Sequence, residues 1–271
     1  MKNISQHFKK ISLIAIVLIL IGVTGLFVVG YDDQMHTITV DAVIGSEGID
    51  QVFIRTSNQN IRIHHTADSE ARVVSSGMPS NATLISEVVD GVLMIETRTP
   101  RQIQIGVNFG SIRNLLMDPP SLDVYLPTII YESVAIHSTN GRVEVFGFEI
   151  HDLQIETTNS RVEVHDIDGN VNVRSANGRL ELSHLTGDID AQTTNGRIAF
   201  NNDTIEQNVR LQSTNGSIEV TLSEEPSDTL FDLRTTNGRT AIFGNNNSTQ
   251  QFGNGSFEVT LRTTNGSITV E

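Results

Sequence analysis

The sequence contains no cysteine. This absence excludes disulfide bonds, thiol catalysis, cysteine-based zinc sites and lipid attachment through an N-terminal cysteine. Lysine is almost absent as well, because Lys2, Lys9 and Lys10 are the only three in the chain. Acidic residues are missing before Asp32. The two kinds of charge are therefore separated along the chain, and the N-terminal tenth must be considered by itself.

The chain from residue 31 onward is strongly acidic. It carries 32 acidic residues and 15 arginines, so its formal charge is 15 − 32 = −17. A domain of this charge is soluble, and it repels the phosphates of nucleic acids and of anionic lipid surfaces. We therefore expect no nucleic-acid partner.

Residues 11–30 contain no charged side chain. Twenty residues in a helix span about 30 Å, which is the thickness of one hydrocarbon core. Lys9 and Lys10 precede this run and Asp32 and Asp33 follow it, so the positive-inside rule predicts a cytoplasmic segment 1–10 and an extracytoplasmic segment 31–271. The alternative is a cleaved signal peptide, but its apolar region is usually only about 7 to 15 residues long. We predict a single-pass membrane helix over 11–30 and localisation at the cell membrane.

A phrase of the form Thr-Thr-Asn-Gly-Arg recurs through the second half of the chain. Its asparagines are Asn140, Asn159, Asn177, Asn195, Asn215, Asn237 and Asn265. The steps between them are 19, 18, 18, 20, 22 and 28 residues. Self-similarity at a period near 20 residues is typical of a solenoid or another stacked array.

Apolar residues alternate with polar ones on both sides of each asparagine, as Val134 and Ile136 do before Asn140 and Val143 and Val145 do after it. This pattern predicts two half-buried strands per repeat. An antiparallel meander is one reading, because Asn-Gly favours hairpins. A parallel β-solenoid is favoured instead, since equivalent corners then stack about 4.8 Å apart and their asparagines can form a ladder. We therefore predict an all-β fold: a single-stranded parallel β-helix with about 18–22 residues per coil, preceded by one transmembrane α-helix.

The repeats predict the domain organisation. Residues 31–37 form a linker, 38–127 form irregular β-coils and 128–271 form the regular repeats. A degenerate repeat surrounds Asn58, where Gln59 replaces the glycine. At the regular corners we expect glycines such as Gly178 to need a positive φ angle. The last repeat, 263–271, is expected at the end of the solenoid. The insertion 244–255 could fold over this end and leave the protein monomeric; the favoured alternative is an open edge available for self-association.

Parallel β-helices can carry polysaccharide lyases and hydrolases, so the predicted stack has to be compared with the needs of an active site. Glycosidic chemistry needs two carboxylates about 5 to 9 Å apart. Asp166 and Asp168 are followed in the next repeat by His184 and Thr186, so no carboxylate column is predicted at the turns. The adjacent His64 and His65 would point to opposite faces of a strand. We predict no catalytic residue, no metal site and no cofactor.

One charged pattern is regular on the predicted outer surface. The strip consists of Arg142, Arg161, Arg179 and Arg197 together with Glu144, Glu163 and Glu181. One interpretation is a checkerboard of surface ion pairs, each contributing about 0.2 to 1 kcal/mol. The other is a surface that binds an anionic wall polymer through arginine forks.

Residues 38–271 resemble a bacterial family named "putative adhesin", whose function is unknown. The resemblance lies in the segment 122–127, Leu-Asp-Val-Tyr-Leu-Pro, in the segment 133–141 that follows, and in the succession of Thr-Thr-Asn-Gly-Arg phrases. It implies a single-chain parallel β-solenoid behind an N-terminal membrane helix, acting at the bacterial envelope, in some members as a stress sensor. The family has no agreed catalytic residues, and Ser160, Ser217 and Ser267 depart from the repeat.

The resemblance and the residues together lead to a functional expectation. We expect a non-catalytic, membrane-anchored module that binds an unidentified envelope component or protein, as an adhesin or an envelope sensor. The alternative is a carbohydrate-active enzyme, a polysaccharide lyase or hydrolase, built on a β-helix.

Overall fold

The computed structural model describes residues 38–45, 48–79, 81–99 and 119–271. These residues form nineteen β-strands in one continuous sheet and contain no helix, so the all-β prediction is confirmed for this part of the chain. No helix in the described ranges is long and apolar enough to span a membrane. The predicted segments 1–10, 11–30 and 31–37 lie outside the described residues.

The strands follow one another in chain order. They are β1 Ile38–Gly45, β2 Gln51–Asn58, β3 Asn60–Thr66, β4 Glu70–Met78, β5 Thr83–Val89, β6 Val92–Arg98, β7 Ser121–Pro127, β8 Tyr131–Phe146, β9 Glu149–Ser175, β10 Leu180–Leu185, β11 Ile189–Thr193, β12 Ile198–Asn202, β13 Val209–Ser213, β14 Ile218–Leu222, β15 Thr229–Asn237, β16 Thr240–Ile242, β17 Thr249–Gln251, β18 Phe257–Asn265 and β19 Ile268–Val270.

Each regular coil contributes two strand segments to a flattened solenoid. We call the segments that precede the asparagines the first face, and the segments that follow them the second face. On the first face β11 lies parallel between β9 and β13, with Ile189 opposite Val171 and Val209. On the second face β12 lies parallel between β10 and β14. Equivalent strands of neighbouring coils pair with one another. A solenoid requires this pairing, whereas equivalent strands of a meander are not neighbours.

The alternating apolar residues face each other between the two faces. Ala191 and Leu211 on the first face are fully buried, as are Phe200 and Val220 on the second. Removing such side chains from water contributes about 1.5 to 3 kcal/mol for each large one. Every coil therefore adds a layer to one continuous hydrophobic core.

The asparagines form one column of side-chain hydrogen bonds at the corner between the faces. In each bond the side-chain amide nitrogen of one asparagine donates to the side-chain amide oxygen of the asparagine in a neighbouring coil. The bonds are Asn140 to Asn58 (2.6 Å), Asn159 to Asn140 (2.8 Å), Asn177 to Asn159 (2.9 Å), Asn195 to Asn177 (2.8 Å), Asn215 to Asn195 (2.7 Å), Asn265 to Asn215 (2.7 Å) and Asn237 to Asn265 (2.8 Å). The column thus includes the degenerate repeat at Asn58, and its order departs from chain order at one end.

Gly141 has the expected positive φ angle (114°), but at the other regular corners glycine is required for a different reason. The φ angle of Gly178 is not positive, so that expectation is wrong. A Cβ atom at Gly178 would instead lie 2.1 Å from the carbonyl oxygen of Ser160 in the preceding coil. At the following corners buried hydroxyls bond to the equivalent carbonyls: Thr193 Oγ1 donates to the Gly178 oxygen (3.1 Å) and Ser213 Oγ to the Gly196 oxygen (2.9 Å).

The last repeat does not form the end of the stack. Strand β18 lies parallel between β13 and β15, and β19 lies parallel between β14 and β16. The expectation that 263–271 form an open edge is therefore wrong. The preceding repeat, β15 and β16, lies two coil positions away from β13 and β14, and the last repeat occupies the position between them. It fits there because all repeats share the same apolar offsets.

The insertion 244–255 covers part of the resulting edge, which also corrects the expectation. Strand β17 pairs antiparallel with β15, on the side opposite β18. The rings of Phe231, Phe243 and Phe252 meet edge to face, with centroids 5.7 to 6.2 Å apart. The first face therefore ends in an antiparallel strand fixed by aromatic packing.

The opposite end is interleaved in the same way. Strand β2 lies between β6 and β8, and β3 lies between β7 and β8. Antiparallel strands complete this end, since β5 pairs with β6, β4 with β7 and β1 with β4. Gln59, in place of the corner glycine, is buried; its amide nitrogen donates to Ser75 Oγ (2.6 Å) and its amide oxygen accepts from Thr56 (2.9 Å).

Candidate binding faces

The predicted arginine–glutamate strip lies on the second face as two neighbouring rows. Nε of Arg161 is 2.7 Å from Glu163 in its own coil, and its Nη2 is 2.6 Å from Glu181 in the next coil. Arg142 likewise lies 3.2 Å from Glu144 and 3.6 Å from Glu163. Each of these two guanidinium groups therefore contacts carboxylates within its own coil and in the following one.

The remaining arginines of the strip are also paired. Nε of Arg179 lies 2.7 Å from Glu181, and Arg197 contacts Glu219. The hydrogen bond with Glu181 raises the pKa of Arg161 above its ordinary value. Because the arginine forks already bind carboxylates of the same chain, the strip presents little unpaired positive charge to a ligand.

A histidine–aspartate cluster lies on the second face near the N-terminal end. Asp123 Oδ1 accepts from Nε of Arg62 (2.8 Å) and lies 3.1 Å from Nε2 of His64, and Ser121 donates to Oδ2 (3.0 Å). Burial would raise the pKa of Asp123, but the hydrogen bonds from His64, Ser121 and Arg62 outweigh burial and lower the pKa. The Ser121 hydroxyl bonds to the carboxylate rather than to His64, so the cluster lacks the order of a nucleophile, base and acid.

A row of alternating carboxylates and amides runs along the first face where its strands begin. Nδ2 of Asn170 donates to Asp152 (3.2 Å), and Asn208 donates to Asp188 through its backbone N–H (3.0 Å) and its side chain (3.2 Å). An asparagine coil separates the two aspartates, and each accepts hydrogen bonds from a neighbouring coil. This arrangement fits structural acceptors better than an acid–base pair. Across the described ranges no cluster of three or more metal-ligating side chains occurs.

Farther along the first face is a groove of about 520 Å³. A straight row of outward side chains crosses it in successive coils, in the order Arg174, Gln192, Gln212, Arg262 and Arg234. Arg234 lies 2.9 Å from Asp232, whereas Arg174 and Arg262 have no ion pair within the described residues. Among the described residues, no carboxylate lines the groove.

Sequence reasoning did not identify this groove, because Arg174 and Arg262 are 88 positions apart in the chain. The insertion of the last repeat between two earlier ones brings them into one row. A signal was nevertheless present: both arginines stand three residues before their asparagine, and that offset carries only one acidic residue in the seven regular repeats, Glu156.

By its geometry the described part of the chain is a β-solenoid whose two outer faces carry straight rows of polar side chains. The model of the Toastrack DUF4097 family matches residues 49–271. The chain belongs to this family, which confirms the family-level resemblance in the repeats. A comparison with curated protein sequences finds no match.

Solved structures of similar proteins include a "putative adhesin" from Bacteroides fragilis, with 14% sequence identity and a TM-score of 0.48, over 87% of this chain and 97% of that one. A "putative cell adhesion protein" from Clostridium sporogenes has 11% identity and a TM-score of 0.40, over 86% and 98% of the two chains. A "putative adhesin" from Parabacteroides distasonis has 10% identity and a TM-score of 0.30, over 88% and 98%.

Proposed function

We propose that this protein is a non-catalytic binding module, adhesin-like or envelope-sensing, held outside a bacterial cell by a membrane helix over residues 11–30. The observation that carries the proposal is the form of the outer faces. Equivalent side chains recur at the same offset in coil after coil, so that each face offers long straight rows rather than one deep cavity. Such a surface suits an extended or repetitive partner.

The arrangement of the carboxylates supports a role without catalysis. Asp152 and Asp188 accept amide hydrogen bonds from the asparagines beside them, and Asp123 is bonded by three donors. Hydrolysis of a glycosidic bond needs one carboxyl group that holds a proton and a second that attacks or activates water. Carboxylates that serve as hydrogen-bond acceptors between coils are poorly suited to the first task.

The membrane part of the proposal is tested by fractionation of the full chain in a bacterial host. We expect it to stay with membranes after a high-salt wash, and we expect protease added outside intact cells to digest the segment after residue 31. A soluble chain with a new N-terminus near Tyr31 would contradict the anchor and favour the cleaved signal peptide.

The binding part is tested by exposing cells that display the full chain to purified wall polysaccharides, envelope lipids and envelope proteins. We expect retention of at least one of these components with its covalent structure intact. Release of new sugar ends from a polysaccharide would contradict the non-catalytic assignment. Retention of none of them by correctly folded protein would contradict the binding assignment.

A further inference from the structure

We propose that the first-face groove is a binding site for the acidic groups of a linear polyanionic envelope polymer, held mainly by Arg174 and Arg262. This inference rests on the proposed function and deepens it, because it names the face and the chemistry of the ligand. It also replaces the arginine–glutamate strip as the candidate for anion binding.

The first argument is that the arginines of the strip form ion pairs within the chain, whereas two arginines of the groove do not. On the strip, every arginine of the predicted set contacts at least one carboxylate of the chain. In the groove, Arg174 and Arg262 project from exposed positions and have no acidic partner among the described residues. A guanidinium group with all its donors free matches a carboxylate or phosphate with two parallel hydrogen bonds.

The second argument is that the row has an evident cost to stability. Arg262 lies directly opposite Arg234 in the neighbouring strand, and like charges at such positions destabilise a sheet. On the opposite face arginines also stand directly opposite one another, as Arg142 and Arg161 do, but a neighbouring row of glutamates pairs with their guanidinium groups, whereas Arg262 has no such acidic partner among the described residues. Local violations of an otherwise regular pattern are expected at functional sites.

The third argument concerns the shape and the neutral part of the site. Four strand steps of about 4.8 Å separate the ends of the row, so the row is about 19 Å long and open to solvent. Gln192 and Gln212 lie between the arginines and offer both donors and acceptors, and the exposed Thr194, Thr214 and Thr264 follow the groove beside them. This combination fits a chain of hydroxyl-rich units that bears acidic groups at intervals.

The net charge of −17 on residues 31–271 limits how such a polymer can approach. At physiological ionic strength the screening length is about 8 Å, so acids on the second face act only weakly across the molecule. The nearest acids on the first face already contact other side chains: Asp232 contacts Arg234, Asp190 accepts from Gln192 (3.0 Å), and Glu156, which stands at the offset of Arg174 in the preceding coil, lies 3.3 Å from His137 and accepts from Gln154 (3.2 Å). The free arginines therefore dominate the field inside the groove.

The test uses the full chain in detergent micelles and measures binding of polygalacturonate, which carries carboxylates, and of poly(glycerol phosphate), which carries phosphates. Neutral dextran is the comparison polymer. We expect binding of at least one polyanion, weakened by salt, with dextran bound at least tenfold more weakly. The stronger of the two polyanions identifies which acidic group the site prefers.

The decisive variant is Arg174→Gln with Arg262→Gln. We expect it to weaken polyanion binding at least tenfold, since one charge-assisted hydrogen bond accounts for about that factor. The matched control is Arg142→Gln with Arg197→Gln on the strip, which removes the same charge over the same three coil steps and should change binding by less than twofold. Gln212→Glu, an outward substitution that leaves the core intact, should also weaken binding, and it replaces the double variant if that one does not fold.

Four outcomes would overturn this assignment. Equal losses in the groove and strip variants would indicate a general charge effect, and loss only in the strip variant would assign binding to the other face. Failure of the folded chain to bind either polyanion, while displayed protein still retains another envelope component, would refute the groove and leave the proposed function standing. Retention of no component at all would refute both.

Discussion

The middle of the solenoid and its two ends are built from the same repeat but connected differently. From Asn140 to Asn215 each coil stacks on the coil that precedes it in the chain. At both ends one coil is inserted between two coils that follow each other in the chain, as the column order Asn215, Asn265, Asn237 records. Antiparallel strands then close each end.

The difference separates two properties that a repeat sequence carries. The apolar offsets determine the register in which any two coils stack, and they are the same throughout. The offsets leave the order of stacking open, and each end carries features that the middle lacks, such as the ring cluster around Phe231 and the buried Gln59. The middle therefore needs only sequence-local contacts, whereas the ends depend on pairs that are distant in the chain.

The largest effect is expected when the inserted coil is removed. Deleting 257–271 takes away Val259, Leu261, Ile268 and Val270, all fully buried. At about 1.5 to 3 kcal/mol each, their loss is about 6 to 12 kcal/mol, which is comparable to the whole stability of a domain. We expect the variant to lose cooperative unfolding, measured by circular dichroism during chemical denaturation.

The substitution Glu258→Gln, at an exposed position of the same strand, is the control and should cost less than about 1 kcal/mol. If the truncated chain unfolds cooperatively with nearly unchanged stability, the space between β13 and β15 must close without the insert. The stability of this end would then not depend on the inserted coil.

A middle corner should be the next most sensitive position. Gly178→Val places a Cβ where the nearest backbone oxygen is 2.1 Å away, so the two coils must separate. We expect a loss of about 3 kcal/mol or more, by analogy with overpacked cores. Gly45→Val in β1 is the control, because nothing lies within 4 Å of its Cβ position.

Thermal unfolding of the two glycine variants measures this contrast, beside Arg179→Ala as a surface reference. Equal losses for Gly178→Val and Arg179→Ala would show that the coils of the middle can move apart freely.

Acid should act on the N-terminal end through Asp123. Its pKa is lower in the folded protein than in the unfolded chain, so its contribution is present at neutral pH and is lost as the pH falls through the folded pKa. Asp123→Asn should therefore flatten the dependence of the unfolding free energy on pH below about 4. Ser121→Ala, which removes one of the donors, should produce a smaller change of the same sign. An unaltered pH profile in Asp123→Asn would remove this cluster from the account of the end's stability.

The smallest effect is expected on the strip of the middle coils. Arg161→Gln breaks contacts with Glu163 and Glu181, but these contacts lie on a solvent-exposed surface, so it should lower the unfolding free energy less than any of the changes above. The loss should shrink at high salt because the charges are screened. Denaturant unfolding of the variant and the parent chain at low and high salt checks this, and a salt-independent loss would show that packing rather than charge is involved.

Much of the architecture follows from residues that recur at fixed offsets. The alternation around Asn140 predicts both strands of a coil, and the degenerate repeat at Asn58 indicates one further coil. The order in which the coils stack at the ends cannot be predicted in this way. The last repeat has the same pattern of inward-facing residues as its neighbours, so it fits either beyond the preceding repeat or between the two repeats before it. The reason for glycine at position 178 also escapes the sequence, since a close approach between coils leaves no local signature.

The two candidate sites also differ in whether the sequence predicts them. The arginine–glutamate strip is visible in the sequence because its members share one repeat offset and follow chain order. The groove depends on Arg262 reaching Gln212 and Arg234 through the inserted coil. A site made by such an insertion can be found only when the stacking order is known.

The interleaved ends also have a kinetic consequence. The ladder bonds of the middle join residues 18 to 20 positions apart, whereas those of the ends join residues 82 and 50 positions apart. Closing a longer loop costs more chain entropy, by about 0.6 kcal/mol per doubling, and non-local strand pairing slows folding. We therefore expect the middle coils to assemble first and to pass through a state with both sheet edges unpaired. Such edges are templates for association between chains, so the period before the ends close is when this protein is most exposed to aggregation.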